Sequence, residues 1–225
     1  MSATLRILEV PMRPEPRLVA EFAKTVTPHL SDSMERLYGT AAPLRPMHGG
    51  GVLAGPAFTV KTAPGDNLLV HKALDMAMPG DVIVVDAGGF ADAATVGEIM
   101  TRWAARRGIA GLVIWGAIRD SDEIRRGSFP VYACGVTHRG PYKDGPGEIN
   151  VPVAIAGMPV NPGDIVVGDA DGVVAVPLAI AERVLASAKA IRAKESVVMQ
   201  DIAAGTLDRA WVDDTLRRKG YRLPA

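Results

Sequence analysis

Two short runs with no charged side chain inside them, Val82-Ile-Val-Val85 and Gly111-Leu-Val-Ile-Trp-Gly-Ala-Ile118, narrow the fold more than any other feature. Both are short for helices and too evenly apolar for strands wetted on one face, so they read as strands buried on both sides. Thr95 to Arg107, between them, patterns as a helix stopped by Gly108. Strand, helix and strand at this spacing point to a parallel sheet covered by helices, an α/β fold.

The rest of the chain extends this rhythm. The first ten residues read as an arm, Pro14 to Val26 as a helix ended by Pro28, and Asp32 with Glu35 as a capping box starting a helix over Ser33 to Tyr38. A strand begins near Val52, another covers Ala57 to Thr62, and a helix follows over Asn67 to Ala77. Strand Asp81 to Asp86 is expected to end at Ala87-Gly88-Gly89. Ser121 to Arg126 reads as a short helix, Val131 to Ala133 as a strand and Thr137 to Asn150 as a long polar loop. Short strands are expected at Val151 to Ile155, Ile165 to Asp169 and Val173 to Val176. Leu178 to Gln200 patterns as a long helix, with a further helical stretch around Val212 to Lys219. Pro79-Gly80-Asp81 through Asp86-Ala-Gly-Gly is echoed by Pro162-Gly163-Asp164 through Asp169-Ala-Asp-Gly, and two copies are too few for a solenoid. No Ser- or Gly-rich linker divides the chain. The expectation is one domain over 1–225, with an N-terminal helical arm over 1–40 and a C-terminal helical tail over 178–225.

Charge and composition exclude several functions. The 25 Lys+Arg balance 25 Asp+Glu, giving a net charge of +0, so there is no electrostatic reason to expect nucleic acid or an anionic membrane as partner. Aromatics at 5% do not supply a base-stacking platform. Ala110 to Ile118 is far too short to span a bilayer, and the N-terminus lacks a signal-peptide core. A single cysteine, Cys134, excludes an internal disulfide framework. The expected compartment is the cytoplasm.

Ligands of α/β sheets gather where strands end. One loaded exit is Asp86-Ala-Gly-Gly89, followed by Gly97-Glu98-Ile99-Met100. A helix starting near Gly97 would expose N–H groups to an anion, although the glycine can equally serve close packing. The other exit is Arg119-Asp120, with Asp122 and Glu123 beyond it. Arg supplies a fixed cation for a carboxylate or a developing enolate, and Asp a hard oxygen for Mg²⁺ or Mn²⁺. The same pair can also be an ion pair or a cap for the next helix. His29, His48, His71 and His138 form no metal-binding spacing, with His71 read as structural or at a rim, and Cys134 reads as buried and inert. Nucleophile-elbow, Walker and dinucleotide-binding motifs are not found.

Together these residues resemble one family. Gly65-Asp66-Asn67, Asp86-Ala-Gly-Gly, Gly97-Glu98, Gly111-Leu-Val-Ile, Arg119-Asp120 with Glu123, Pro162-Gly163-Asp164 and Asp169-Ala-Asp-Gly-Val-Val are similar to the RraA-like family, from Pro28 to the end of the long helix. That family includes the 4-hydroxy-4-methyl-2-oxoglutarate/4-carboxy-4-hydroxy-2-oxoadipate aldolases. The resemblance implies a compact α/β/β/α layered domain of the swivelling-domain type, trimers that pair into hexamers, and sites at subunit clefts. It also implies a divalent-metal pyruvate aldolase that decarboxylates oxaloacetate. Aldolase members carry an acidic residue, 20 intervening residues and Arg-Asp, a spacing met by Glu98 and Arg119-Asp120. The family usually has Asp where Glu98 stands.

By the same resemblance, Asp120 is the metal ligand for Mg²⁺ or Mn²⁺ and Arg119 binds the enolate oxygen. Backbone amides around Gly97, Ile99 and Met100 hold the pyruvate carboxylate, and Asn67 and Asp66 line the cleft. Glu98 orients a metal-bound water that carries the proton, no histidine being placed for that task. Glu195 matches an acidic residue supplied by a neighbouring subunit. Arg139 and Lys143, in the polar loop, are candidates for a second substrate carboxylate. The alternative function is a non-catalytic regulatory protein of the ribonuclease-regulator type, which has no need of the Glu98 and Arg119-Asp120 set.

Overall fold

The computed structural model describes residues 5–41 and 43–224. An extended arm comes first, pinned by the Ile7 to Ile149 bridge and by the Leu8 N–H donating to the Ile149 carbonyl (3.2 Å). Helices α1 (Pro16–Phe22) and α2 (Thr27–Asp32) follow. Pro28 therefore does not end a helix. It lies in the first turn of one, where its missing N–H is not needed. The cap of α2 comes from far along the chain, because the Asp169 carboxylate accepts both the Thr27 N–H (2.8 Å) and the Thr27 hydroxyl (2.7 Å). Residues 33–38 form turns rather than the expected helix, with Glu35 and Arg36 at φ of 55° and 62°, which an α-helix does not accommodate.

The α/β part comprises β1 (Arg45–Pro46), β2 (Leu53–Thr62), α3 (Leu68–Met76), β3 (Val82–Val96), α4 (Glu98–Arg106), β4 (Gly111–Ile118), α5 (Ser121–Arg126) and β5 (Val131–Val136). Strands β2 to β5 run parallel, in spatial order β5-β4-β3-β2. The segment expected as a loop over Thr137 to Asn150 ends in a strand, β6 (Gly147–Ile149), antiparallel to the second half of β2. A hairpin of β7 (Val153–Ile155) and β8 (Met158–Val160) comes next. Then β9 (Ile165–Gly168) pairs with the first half of β2 and with β10 (Val173–Val176). A 3₁₀ turn, Leu178–Ile180, leads into α6 (Ala181–Ala204), and α7 (Ala210–Arg218) follows.

Period-two alternation on these strands sorts the apolar side chains into three cores. Ile83, Val85, Leu112 and Ile114 pack under α3 and α4 with Val70, Leu74 and Ala104. Their neighbours Val82, Val84 and Val113 face the other way, toward Ile155, Val160, Val166 and Ala175. Ile165, Val167, Val174 and Val176 point outward again, onto Phe22, Leu30 and Val184. Helices, sheet, sheet and helices are thus stacked as α/β/β/α. The chain forms two compact units, one ending at Ala188 and the other starting at Lys189. No helix among the described residues is long and apolar enough to cross a membrane.

The repeated Pro-Gly-Asp is one turn used twice. Gly80 and Gly163 both adopt φ of 89°. Asp81 accepts the Met78 N–H (2.8 Å), and Asp164 accepts the Asn161 N–H at the same distance. The two copies start β3 and β9, which flank β2 on either side.

Candidate active site

The site is assembled by an irregularity in β3. Gly88 and Gly89 take φ of 68° and 70°, and the Asp86 carboxylate accepts the Gly88 N–H (3.0 Å). The glycines do not end the strand, as the sequence suggested. They bulge it, and β3 continues in shifted register until Val96 pairs with Ile118. That pairing sets Gly97 beside Arg119, and the Arg119 N–H donates to the Val96 carbonyl (3.0 Å). Helix α4 accordingly begins at Glu98 with Gly97 as its cap, three residues later than the start expected at Thr95. A Cβ on Gly97 would lie 2.5 Å from Asp120 Oδ2 and 2.9 Å from Arg119 Cγ, so only glycine allows this approach.

A cleft of about 180 Å³ opens here, and it brings together Asn67, Gly97, Ile99, Met100, Arg119 and Asp120. Thr95, His71, Pro141 and Lys143 complete the part of its wall that bears on chemistry. The Asn67 amide donates to the Thr95 carbonyl (3.0 Å) and to Met100 Sδ (3.4 Å), which fixes the amide orientation. Asn67 Oδ1 and Thr95 Oγ1 are buried there without a hydrogen-bond partner. Buried polar atoms are seldom left so, and two on residues that line one cleft mark a place for a polar ligand. The first turn of α4 adds donors. The Glu98 N–H is taken by Asp120 Oδ2 (2.9 Å), while Ile99 and Met100, at the next two positions, have no intrahelical acceptor.

Asp120 sits at φ 57° and ψ 37°, a left-handed conformation that aspartate tolerates better than most residues. Its side chain is 42% exposed, and Arg119 Nε lies 3.8 Å from Oδ2, too far for a hydrogen bond. This is a half-wet carboxylate with a cation alongside. It fits Mg²⁺ or Mn²⁺, hard ions content with one protein carboxylate plus water and substrate oxygens. A metal needing three protein donors does not fit, because no group of three His, Cys, Asp or Glu capable of holding one occurs among the described residues. Glu98 turns aside. Its carboxylate pairs with Arg102 one turn along (2.6 Å) and lines a neighbouring hollow of about 470 Å³, which shares Arg119 and Asp120 with the cleft.

Asp66, expected to line the cleft, is not in its wall. Its buried carboxylate accepts backbone N–H groups from Leu68, Asp144 and Gly145. His71, read from sequence as structural or at a rim, does line the cleft. Burial first, and the Lys143 ammonium second, push it below its ordinary value of 6.5, against a smaller opposing pull from Asp75. Thr95 escaped the sequence reading, although it lies two strand positions before Gly97 and so on the same face. Arg139 is not in the cleft wall, and Glu195 lies on α6 in the second unit. A larger groove of about 840 Å³ runs between α1 and the start of α6, and two of its arginines are already paired, Arg13 with Asp81 and Arg17 with Glu15.

Comparison with known proteins places this geometry. The RraA-like family pattern (Aldolase/RraA) matches residues 27–175. A protein of Halalkalibacterium halodurans, provisionally named 4-hydroxy-4-methyl-2-oxoglutarate aldolase, is 42% identical over 171 residues, which is 76% of this chain and 81% of that one. The 4-hydroxy-4-methyl-2-oxoglutarate aldolase of Thermus thermophilus is 38% identical over 112 residues, covering 50% of this chain and 68% of its own length. Among solved structures, Streptomyces coelicolor RraAS2, described as an unusual member of the RNase ES inhibitor RraA family, superposes with a TM-score of 0.76 at 30% identity. That match covers 83% of this chain and 97% of RraAS2. With the fold, the matched span and the identity all agreeing, the chain belongs to the RraA-like family.

Proposed function

We propose that the cleft cleaves a small 4-hydroxy-2-oxo di- or tricarboxylic acid, of the 4-hydroxy-4-methyl-2-oxoglutarate type, to release pyruvate, and that it also decarboxylates oxaloacetate. The observation that carries this reading is the convergence of unpaired acceptors and donors on one small space. Asn67 and Thr95, each with a buried oxygen that lacks a partner, line it together with Arg119, Asp120 and the first turn of α4. Mg²⁺ or Mn²⁺ on Asp120 would supply Lewis-acid polarisation of the 2-oxo group.

The chain's own groups divide the remaining work. The Ile99 and Met100 N–H groups receive the carboxylate next to the 2-oxo group, helped by the positive end of α4. The Arg119 guanidinium faces the oxygen on which negative charge builds as the carbon–carbon bond breaks, the arrangement that lowers such barriers most. Thr95 and Asn67 orient the substrate with the buried hydroxyl and carbonyl that nothing else satisfies. Lys143 offers a cation to a carboxylate at the far end. Cleavage takes a proton from the 4-hydroxyl and delivers one to the methylene of the pyruvate fragment, whereas decarboxylation needs only the second step. His71, lining the cleft with its pKa lowered by burial, would serve one transfer, and Glu98, on releasing Arg102, the other. A trimer or hexamer with Glu195 contributed in trans completes the proposal.

The test is pyruvate release coupled to lactate dehydrogenase, from oxaloacetate and from 4-hydroxy-4-methyl-2-oxoglutarate, with Mg²⁺ and with EDTA. Release above the protein-free rate that EDTA abolishes supports the lyase. Likeness to RraAS2 favours a second reading, a non-catalytic regulator of a ribonuclease. Folded protein that releases no pyruvate with either Mg²⁺ or Mn²⁺ would put that reading first.

A further inference from the structure

The turn between β2 and α3 holds an acid that starting a helix does not explain. Asp66 is 3% exposed, and its Oδ1 accepts the Leu68 N–H (2.9 Å), the ordinary bond of a helix start. Its Oδ2 reaches elsewhere, accepting the N–H groups of Asp144 (2.6 Å) and Gly145 (2.9 Å). The adjoining backbone extends this seam. The Asn67 N–H donates to the Tyr142 carbonyl (3.0 Å), and the Tyr142 N–H to the Gly65 carbonyl (2.8 Å).

Residues 141–145 are exposed or at most half-buried, so little apolar packing holds this stretch where it is. Yet Pro141 and Lys143 within it form one wall of the cleft. Burial pushes the Asp66 carboxyl up, but the three N–H groups and the Lys143 ammonium together bring it below its ordinary value, so it is ionised at working pH. A single oxygen acceptor suffices to begin α3. The second oxygen serves the wall.

We infer that Asp66 is a positioning residue for substrate binding: by tying residues 141–145 to the start of α3, it holds Lys143 against the cleft to meet the anionic group of the substrate remote from its 2-oxo-acid end. Asp66 touches no substrate and acts through Lys143. The inference rests on the lyase reading above and adds to it the means by which a surface segment becomes a specificity element.

Asp66→Ser separates the two uses of the acid. Its hydroxyl can still accept the Leu68 N–H but cannot reach Asp144 and Gly145. The experiment compares KM and kcat for oxaloacetate in the wild type, Asp66→Ser, Lys143→Ala and the double variant, with hydrogen exchange followed over 141–145. Asp66→Ser is expected to raise KM about tenfold while kcat moves less. Lys143→Ala should raise KM similarly, and the double variant no further than the larger single effect, as for residues acting through one contact. Exchange should speed up at Asp144 and Gly145 while α3 stays protected. A wild-type KM in Asp66→Ser, a full additional KM increase in the Lys143→Ala background, or a kcat loss without a KM change would each overturn the inference. Should Asp66→Ser not fold, Asp66→Asn, of the same shape, carries the same expectations and the same refutations. Lack of pyruvate release by the wild type, read before any variant, would remove the lyase reading and this inference with it.

Discussion

Asp81 and Asp164 occupy matching places in two copies of one turn, and Asp120 marks the end of a strand between them in sequence, yet the three carboxylates are used differently. Asp81 is 1% exposed and accepts the Met78 N–H and the Arg13 guanidinium. Asp164 is 5% exposed and accepts the N–H groups of Asn161 and Leu178. In both, each oxygen has a donor. Asp120 receives one N–H on Oδ2, and its other oxygen accepts no hydrogen bond from the described residues. All three are aspartates at the ends of strands, Asp81 and Asp164 just before one and Asp120 just after one. What separates an acid that builds the fold from one available for chemistry is whether the fold has already satisfied it.

This contrast can be broken by exchange of effects between the two groups of residues. Arg119→Ala, on the chemical side, is expected to lower pyruvate release about 10³-fold, about 4 kcal/mol of barrier, with an unaltered circular dichroism spectrum. An unfolded variant would make Arg119 structural. Asp81→Ala, on the structural side, strands a part-buried Arg13 and should cost about 3 kcal/mol in urea unfolding, while kcat per folded molecule stays at the wild-type value. Gly97→Ala sharpens the chemical side without touching an acid. Its methyl group displaces the Asp120 carboxylate or the Arg119 stem, and about 30-fold of kcat/KM should be lost at nearly constant thermal stability. Asp169→Ala removes the remote cap of α2 and should cost about 1 kcal/mol of stability with no kinetic effect.

The smallest effect is in pH. Burial raises Asp164, so its charged form costs stability at neutral pH and the cost is relieved as pH falls through its raised value. Asp66 is shifted the opposite way. Its contribution is fully present above the ordinary carboxylate value of 3.8 and is lost only as pH falls through its lower folded value. Hydrogen exchange during a descent in pH should therefore leave the 141–145 segment protected until below about 3.8, after Asp164 has titrated. Loss of protection at 141–145 well above that pH would contradict the assignment.

The layered architecture was legible because strand alternation and apolar runs are local signals. Arg119-Asp120 was legible for the same reason, standing at the end of an unambiguous strand. Thr95 and the true start of α4 were not, because a pair of glycines with positive φ reads alike whether it ends a strand or bulges one. Pro28 was misread since its effect depends on whether it falls at a helix start, and the cap that settles this, Asp169, is 142 residues away. His71 stands one helical turn after Asn67, so the i, i+4 rule could have brought it to the cleft. Asp66 had the right neighbours in sequence, but its direction is set by Gly145, 79 residues away, which spacing does not select. The Glu98 partner Arg102, by contrast, stands at i+4 and could have been found by the same rule.

Whether Asp120 is the acid left open for a metal is decided by titrating Mn²⁺ into the wild type and into Asp120→Ala, with metal binding and pyruvate release from oxaloacetate followed in the same samples. Saturable binding of one Mn²⁺ per wild-type chain is expected, with release rising in step with occupancy and both lost in the folded variant. An Asp120→Ala protein that binds Mn²⁺ and releases pyruvate as the wild type does would contradict that role.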